Sequence, residues 1–534
     1  MENHPHLRDR LMVDDPDSWA TTYPALLRRH GTAMASLILH GDQNERGPTL
    51  RRPLYVRPIL KPDSKREETA PQDRLWVDLV HEAVRRIVAS DVPHGPVAPS
   101  VRIVNLSIGD AGRPFLHEPS PFARLLDWLA WKYQVLFIVS AGNHTDDLPA
   151  ECADDAKALR HVFAERRHRR VLSPAEHING LTVGATNHDN AGDPPNSSQR
   201  PIPQQPHLPS VYSALGMGIR RSVKPDLLVP GGRLLFQPRL PGSRSPWTVS
   251  RPQKVGQLVS VPGPPGERVV TLLSGTSNAA ALASRAACFG HESISQILVG
   301  DEAEHLRKVP IALLLKALVV HSAEWPTEVR AFVQTALNGL LQPRRETEDL
   351  AAILGFGHLR LERVLGCDPN RATAIGGGLI APGARIQHRV PIPEAMHLHQ
   401  EWRRLTATLA WFSPINPGNR KYRCAALTLD VPRGTLSPLT VDKAQAHGLA
   451  ALRGTVQHVV LDGADATMSV GPSDEIEIVV ECAEDAPPLT TPIPYALAVS
   501  IEANPEVKLP IYEGVAARLL AARPRIRTAV PLRS

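Results

Sequence analysis

Cysteine is scarce in this chain. Cys152, Cys288, Cys367, Cys424 and Cys482 are scattered through 534 positions. An odd, widely spaced set supports no disulfide framework, and without CxxC or Cys/His ligand spacing it supports no zinc site either. HExxH and EF-hand patterns are absent and the 22 histidines are dispersed, so neither a metal nor a cofactor is expected. Long apolar runs are missing too. The best candidate, residues 311–320, is interrupted by Lys316 and falls short of a membrane span. The N-terminal stretch is charged and has no apolar signal core. A one-sided charge is also lacking: 60 basic against 54 acidic residues leave a net +6. That excess is too small and too evenly spread to argue for nucleic acid, and aromatics do not interleave a basic patch. The densest basic run, Arg166-Arg167-His168-Arg169-Arg170, reads as a solvated helix face. These absences describe a soluble, cytoplasmic protein with neither a membrane nor a nucleic acid as partner.

What the chain has in quantity is length, proline and glycine. At 534 residues it is long enough for two domains or more. Its 51 prolines and 36 glycines gather between apolar runs and forecast long irregular connections, notably residues 187–209 and 230–265. Through the first 375 residues, strand-like runs (101–109, 135–143, 181–186, 226–229) alternate with helical periods (30–39, 73–90, 121–133, 310–323). Such alternation argues for a parallel sheet covered on both faces. From residue 376 the texture changes to period-2 alternation, with Leu405, Ala407, Leu409 and Trp411 on one face. Ile476, Ile478 and Val480, then Tyr495, Leu497, Val499 and Ile501, repeat the pattern. The expected fold is therefore α/β, a doubly wound mostly parallel sheet over residues 1–375, followed by a smaller antiparallel β-sandwich-like domain over 376–534.

Chemistry concentrates at Ser274-Gly275-Thr276-Ser277-Asn278-Ala279. The apolar run 269–273 reads as a buried strand leading in, and the Ala-rich stretch 279–287 as a helix leading away. Ser277 then sits where a helix begins, among free N–H groups and the positive end of the helix dipole. That setting suits a capping serine and also the oxyanion chemistry of acyl transfer. His30, at the head of a small-residue helix, and Asn143, at the end of an apolar strand, could supply a base and an oxyanion donor. With His30 preceding Ser277, and no GxSxG present, an α/β-hydrolase is disfavoured.

Taken together, His30-Gly31-Thr32-Ala33-Met34-Ala35, Ser140-Ala141-Gly142-Asn143 and Ser274-Gly275-Thr276-Ser277-Asn278-Ala279 resemble the His, oxyanion-Asn and Ser motifs of the subtilisin-like serine peptidases. Asn105-Leu106-Ser107-Ile108-Gly109 resembles that family's substrate-binding strand, and Lys224-Pro225-Asp226-Leu227 its stretch before the serine. The resemblance implies an intracellular serine endopeptidase acting on polypeptides. In it Ser277 is the nucleophile, His30 the general base, and Asn143 with the Ser277 N–H the oxyanion hole. It implies that Ser107, Ile108 and Gly109, and also Ser140, Ala141 and Gly142, line the cleft and pair with an extended peptide.

One departure matters. The family's catalytic Asp ends a strand upstream of the His, and Asp-Xaa-Gly does not occur before His30. Asn3-His4-Pro5-His6-Leu7 resembles the stretch that follows that Asp, so the sequence reads as starting just after it. Asp9, Asp14, Asp15 and Asp17 read as loop acids with no strand before them. The alternative is a pseudopeptidase: a peptide-binding module whose His30 lacks the carboxylate that orients it.

Overall fold

The computed structural model describes the chain except residues 1–2, 92, 94, 195–197, 241–244, 301–303, 305, 432–439, 442–450, 464–473, 522–529 and 532–534. Strand β1 (Leu11–Val13) leads to helix α1 (Arg29–His40), in which every residue from Thr32 to Leu39 is buried. Strand β2 (Leu54–Val56) pairs in parallel with β1, and a short antiparallel pair follows, β3 (Lys61–Pro62) and β4 (Glu68–Thr69). Helix α2 (Trp76–Val88) buries Leu79, Val80, Ala83, Val84 and Ile87, one stripe of the 3.6-residue period.

Next come β5 (Ile103–Leu106), α3 (Pro121–Tyr133), β6 (Leu136–Ser140), α4 (Asp155–Ala164), β7 (Leu181–Thr186), β8 (Arg200–Pro201) and β9 (Leu227–Pro230). Strands β5, β6, β7 and β9 lie side by side in that order, all parallel. β6 is buried at every position, as a parallel strand covered on both faces must be. Helix α3 is started by Pro121 in its first turn and by the Ser120 hydroxyl, which accepts the Ala123 N–H at 3.1 Å. The basic run 166–170 does not form a solvated helix face. α4 ends at Ala164, and Arg169 beyond it is only 4% exposed because its guanidinium donates to the Val211 carbonyl at 2.8 Å.

The long connection after β9 is structured. β10 (Leu235–Pro238) pairs with β8 and with β11 (Trp247–Val249), and β12 (Gln257–Ser260) pairs antiparallel with β13 (Val270–Leu273). β13 is thus not the buried sheet strand its apolar run suggests. It forms a two-stranded ribbon outside the parallel sheet, and Val270 is 39% exposed. From β13 the chain turns into α5 (Thr276–Val299), which packs against α1 through Ala281 and Phe289 on one side and Ala33, Met34 and Leu37 on the other. Helices α6 (Ile311–His321), α7 (Thr327–Ala336), α8 (Glu346–Leu354) and α9 (Leu361–Leu365) complete this half.

The remaining strands are β14 (Arg371–Ile380), β15 (Arg385–Pro391), β16 (Arg403–Trp411), β17 (Ala425–Asp430), β18 (Thr440–Val441), β19 (Val456–Gly463), β20 (Glu475–Glu484), β21 (Ile493–Ala503) and β22 (Val530–Pro531). Residue 376 falls inside β14. The strands form a six-stranded sheet, β18-β19-β16-β21-β14-β22, and a three-stranded one, β15-β20-β17, with every pairing antiparallel. Leu405, Leu409 and Trp411 share a core with Ile478, Val480 and Tyr495, so the alternating faces meet as period-2 patterning requires.

Helix α6 joins the two halves. It is buried from Ala312 to His321 because it packs on α5 on one side and on β16 and β21 on the other. The Lys316 Nζ donates to the Trp411 carbonyl at 3.2 Å and to Thr455 Oγ1 at 2.6 Å. The His321 ring bridges Thr408 and Ser500, and the Asp127 carboxylate accepts N–H bonds from Ile178 and Asn179 and the Tyr422 hydroxyl. Burial pushes the Lys316 ammonium down from 10.5 to about 7. A base whose folded value lies below its unfolded one costs stability as pH falls, since the unfolded chain takes the proton first. The cost is absent above about pH 10 and complete below about pH 7. Lys316→Met is therefore expected to gain on the wild type by up to roughly 5 kcal/mol between pH 10 and pH 7. Denaturant unfolding across that range checks it, and parallel profiles would refute it.

Candidate active site

Ser277 is the second residue of α5 and is partly exposed. Its hydroxyl donates to the Ser107 carbonyl at 3.2 Å, and the Ser107 hydroxyl donates back to the Ser277 carbonyl at 3.0 Å. The Ser277 N–H, one of the first-turn donors that no helical carbonyl can reach, has no acceptor among the described residues. Gly275 precedes the helix, and its N–H donates to the Gly231 carbonyl at 2.8 Å. A Cβ on Gly275 would stand 3.3 Å from Asn143 Nδ2, so glycine leaves room for that amide.

Asn143 is held from one side. Its Oδ1 accepts the Thr276 N–H at 2.9 Å and the Thr276 hydroxyl at 3.0 Å, while Thr276 Oγ1 accepts the Gly142 N–H at 3.2 Å. With the oxygen committed, the Nδ2 donors turn outward and meet no acceptor among the described residues. A fixed amide with unspent N–H groups, next to an unspent helix-terminal N–H, is the donor set an oxyanion needs. Thr276 escaped the sequence reading of this site. Only its place between Gly275 and Ser277 hinted at it.

His30 lies in the first turn of α1, and its ring makes no hydrogen bond among the described residues. Burial lowers its pKa, so the imidazole is neutral at pH 7, as a general base must be. The structure joins Asn143, Thr276, Ser277 and Ser107 by direct bonds, and it does not bond His30 to Ser277. The link between them is indirect. His30 and Ser107 line one cavity of about 470 Å³ between the β1–β2 pair and the open edge of β5, and α1 packs on α5. Asn105, whose Oδ1 accepts the Ser284 hydroxyl at 3.0 Å, also faces this cavity.

Residues expected to bind a peptide separate into two groups. Ile108 and Gly109 follow β5, and their backbone groups are unspent among the described residues. The second segment is different. The Ala141 N–H and carbonyl are bonded to Val183 and Leu172, the Gly142 pair to Thr276 and Ala214, and Ser140 is in register with Val183 inside the sheet. Ala141 and Gly142 thus have no open backbone edge for an extended peptide, contrary to the pairing expected of them. The parallel sheet and its cover have already consumed it. Gly142 is also hemmed in, with φ +108° and Leu172 side-chain atoms 2.5 Å from where a Cβ would be.

Three of the four early acids, Asp14, Asp15 and Asp17, are engaged. Asp14 does follow a strand, β1, contrary to expectation, but its carboxylate is held by Arg86 at 2.6 Å and by the Tyr55 hydroxyl, and Arg86 keeps its pKa low. Asp15 caps the N–H groups of Trp19 and Ala20, and Asp17 pairs with Arg57 and Arg74. Asp9 lies in a turn. At the head of α1 stands Glu68, whose Oε2 accepts the His30 N–H at 2.6 Å. In sequence it belongs to a polar run, residues 65–68, that carries no signal of burial. Among the described residues, His, Cys, Asp and Glu side chains do not gather in threes as a metal site would require, and no helix is long and apolar enough to cross a membrane.

An uncharacterized protein of Sinorhizobium fredii (strain NBRC 101917 / NGR234), y4bN, is 28% identical over 343 residues, 62% of this chain and 72% of that one. Among solved structures, the prenylagaramide maturation protease PagA is 15% identical with a TM-score of 0.36, over 68% of this chain and 88% of that one. The patellamide maturation protease PatA is 19% identical with a TM-score of 0.35, over 68% and 91%. The sequence profile of the subtilase family of peptidases matches residues 1–357, and the chain belongs to that family.

Proposed function

We propose that this chain is an intracellular serine endopeptidase that cleaves polypeptides with Ser277 as nucleophile and His30 as general base. Asn143 Nδ2 and the Ser277 N–H would hold the oxyanion, and the Ile108–Gly109 backbone would take the substrate as an added strand. The observation that carries the reading is the Thr276 clamp on Asn143 Oδ1, because it leaves the amide donors free beside the head of α5. A second reading, a peptide-binding module without chemistry, draws on the Ser277 hydroxyl being bonded to the Ser107 carbonyl and not to His30.

A biotinylated fluorophosphonate separates the two, since it reacts only with an activated serine. Labelling of the 534-residue chain, mapped by peptide mass spectrometry to Ser277, is the expected result. A chain that binds peptides but takes up no probe would establish the binding module instead.

A further inference from the structure

Strands β7 and β9 are neighbours in the parallel sheet, and the loops that leave their carboxyl ends meet in a buried ion pair, Asp189 with Arg233. The Asp189 side chain is 0% exposed. Its carboxylate accepts the Arg233 backbone N–H at 2.6 Å and the guanidinium through Nη2 at 2.7 Å and Nε at 3.1 Å. The same Nη2 reaches on to the Ala191 and Gly192 carbonyls, which closes the pair on the β7 loop. A planar fork on one carboxylate fixes orientation as well as position. With the backbone N–H pinned to the same anchor, the main chain at Arg233 is fixed too.

That main chain carries the turn before Ser277. The Arg233 carbonyl accepts the Ser274 hydroxyl, and the Gly231 carbonyl accepts the Gly275 N–H at 2.8 Å. Between them, the Gly232 carbonyl accepts the hydroxyl of buried Tyr212 at 2.8 Å. The segments approach closely. A Cβ on Gly232 would stand 2.8 Å from Ser274 Oγ and one on Gly256 2.6 Å, and both glycines have positive φ, +87° and +121°. Ser274 and Gly275 are the last residues before α5, so their placement sets where Thr276 and Ser277 stand. The Asn143 amide follows, since Thr276 holds its Oδ1.

We propose that Asp189 and Arg233 are positioning residues for the peptidase reaction: the ion pair fixes the Arg233 carbonyl, the carbonyl fixes Ser274, and the turn so held sets Ser277 and the Asn143 amide against the scissile bond. The inference rests on the peptidase reading above. Neither residue exchanges a proton in it. A displacement of about 1 Å at a reacting atom costs of order 10²-fold in rate, so a remote clamp registers in kcat. Substrate pairing along Ile108–Gly109 lies elsewhere, so KM is left nearly unchanged.

The test compares the wild type, Asp189→Asn, Ser274→Ala and the double variant in the full chain, well below the lowest melting temperature. Peptide hydrolysis and the rate of fluorophosphonate labelling are the readouts. Asparagine keeps the shape and one acceptor oxygen but removes the charge that holds the fork. The expected fall in kcat is about 10–10²-fold for Asp189→Asn and about tenfold for Ser274→Ala, with labelling slowed in parallel and KM nearly unchanged. Both changes act through the Arg233 carbonyl, so the double variant is expected to be no slower than Asp189→Asn alone. Supports of the fold alone would lower the melting temperature and leave kcat at the wild-type level. Should Asp189→Asn fail to fold, Arg233→Lys takes its place in the same comparison, since it keeps the charge and gives up the fork. If either single variant turns over like the wild type, or if the two losses multiply in the double variant, the clamp has no part in catalysis while the peptidase reading stands. A wild type that takes up no probe overturns both.

Discussion

Ser277→Ala is expected to abolish fluorophosphonate labelling and to lower kcat for peptide hydrolysis by about 10⁶-fold, the loss measured when a member of this family is deprived of its nucleophile. The reason is local. No other hydroxyl sits in the first turn of α5 beside free donors, since Thr276 is fully buried and its hydroxyl is engaged with Asn143 and Gly142. The variant should fold. Ser277 is partly exposed, and its side-chain bond to the Ser107 carbonyl contributes about 1 kcal/mol at most. Undiminished hydrolysis by Ser277→Ala at an unchanged melting temperature would place the nucleophile elsewhere and remove the basis of the proposed mechanism.

Asn143→Ala is expected to lower kcat by about 10²–10³-fold, again a magnitude measured in this family for loss of the side-chain oxyanion donor, with KM little changed. A donor aimed at a charge that exists only in the transition state affects kcat and leaves ground-state binding alone. The substitution also strips an acceptor from the Thr276 N–H and hydroxyl, so a loss of about 1–3 kcal/mol in stability should accompany it. Thr276→Val separates the contributions. It keeps the Asn143 amide and the Thr276 N–H bond but removes the hydroxyl that fixes Oδ1, so it should cost less kcat than Asn143→Ala. Equal kcat in wild type and Asn143→Ala would show that the amide does not meet the oxyanion.

Much of this molecule was readable before its coordinates. Helix α3 was delimited from its pattern because Ser120-Pro121 is an unambiguous start and the apolar period is clean. Strand β7 was delimited as well, an apolar stretch ending where Asn187 begins a proline-rich loop. Where the reading failed, the missing information was non-local. The run ending at Leu273 has the composition of a core strand, yet it pairs with β12, a segment hidden inside what looked like an irregular connection. The basic run 166–170 looked solvated, yet Arg169 is drawn inward by a carbonyl 42 residues along the chain. Ala141 and Gly142 looked available to a peptide, but their backbone groups are bonded to Val183, Leu172, Thr276 and Ala214, partners that no local pattern places there.

By itself the sequence determined the class of the fold and the family, and it named His30, Asn143 and Ser277, the residues on which the proposed chemistry is built. Short motifs and hydrophobic periods are properties of neighbouring residues, and neighbours are what a sequence displays. Tertiary structure alone decided that Thr276 clamps Asn143 Oδ1, that Ser107 and Ser277 bond each other across 170 residues, and that Glu68 comes to rest on the His30 N–H. Those contacts join segments whose approach is set by the burial of α1 against α5 and by sheet register. The free energy that places them is spread over the whole core and leaves no mark at the positions themselves.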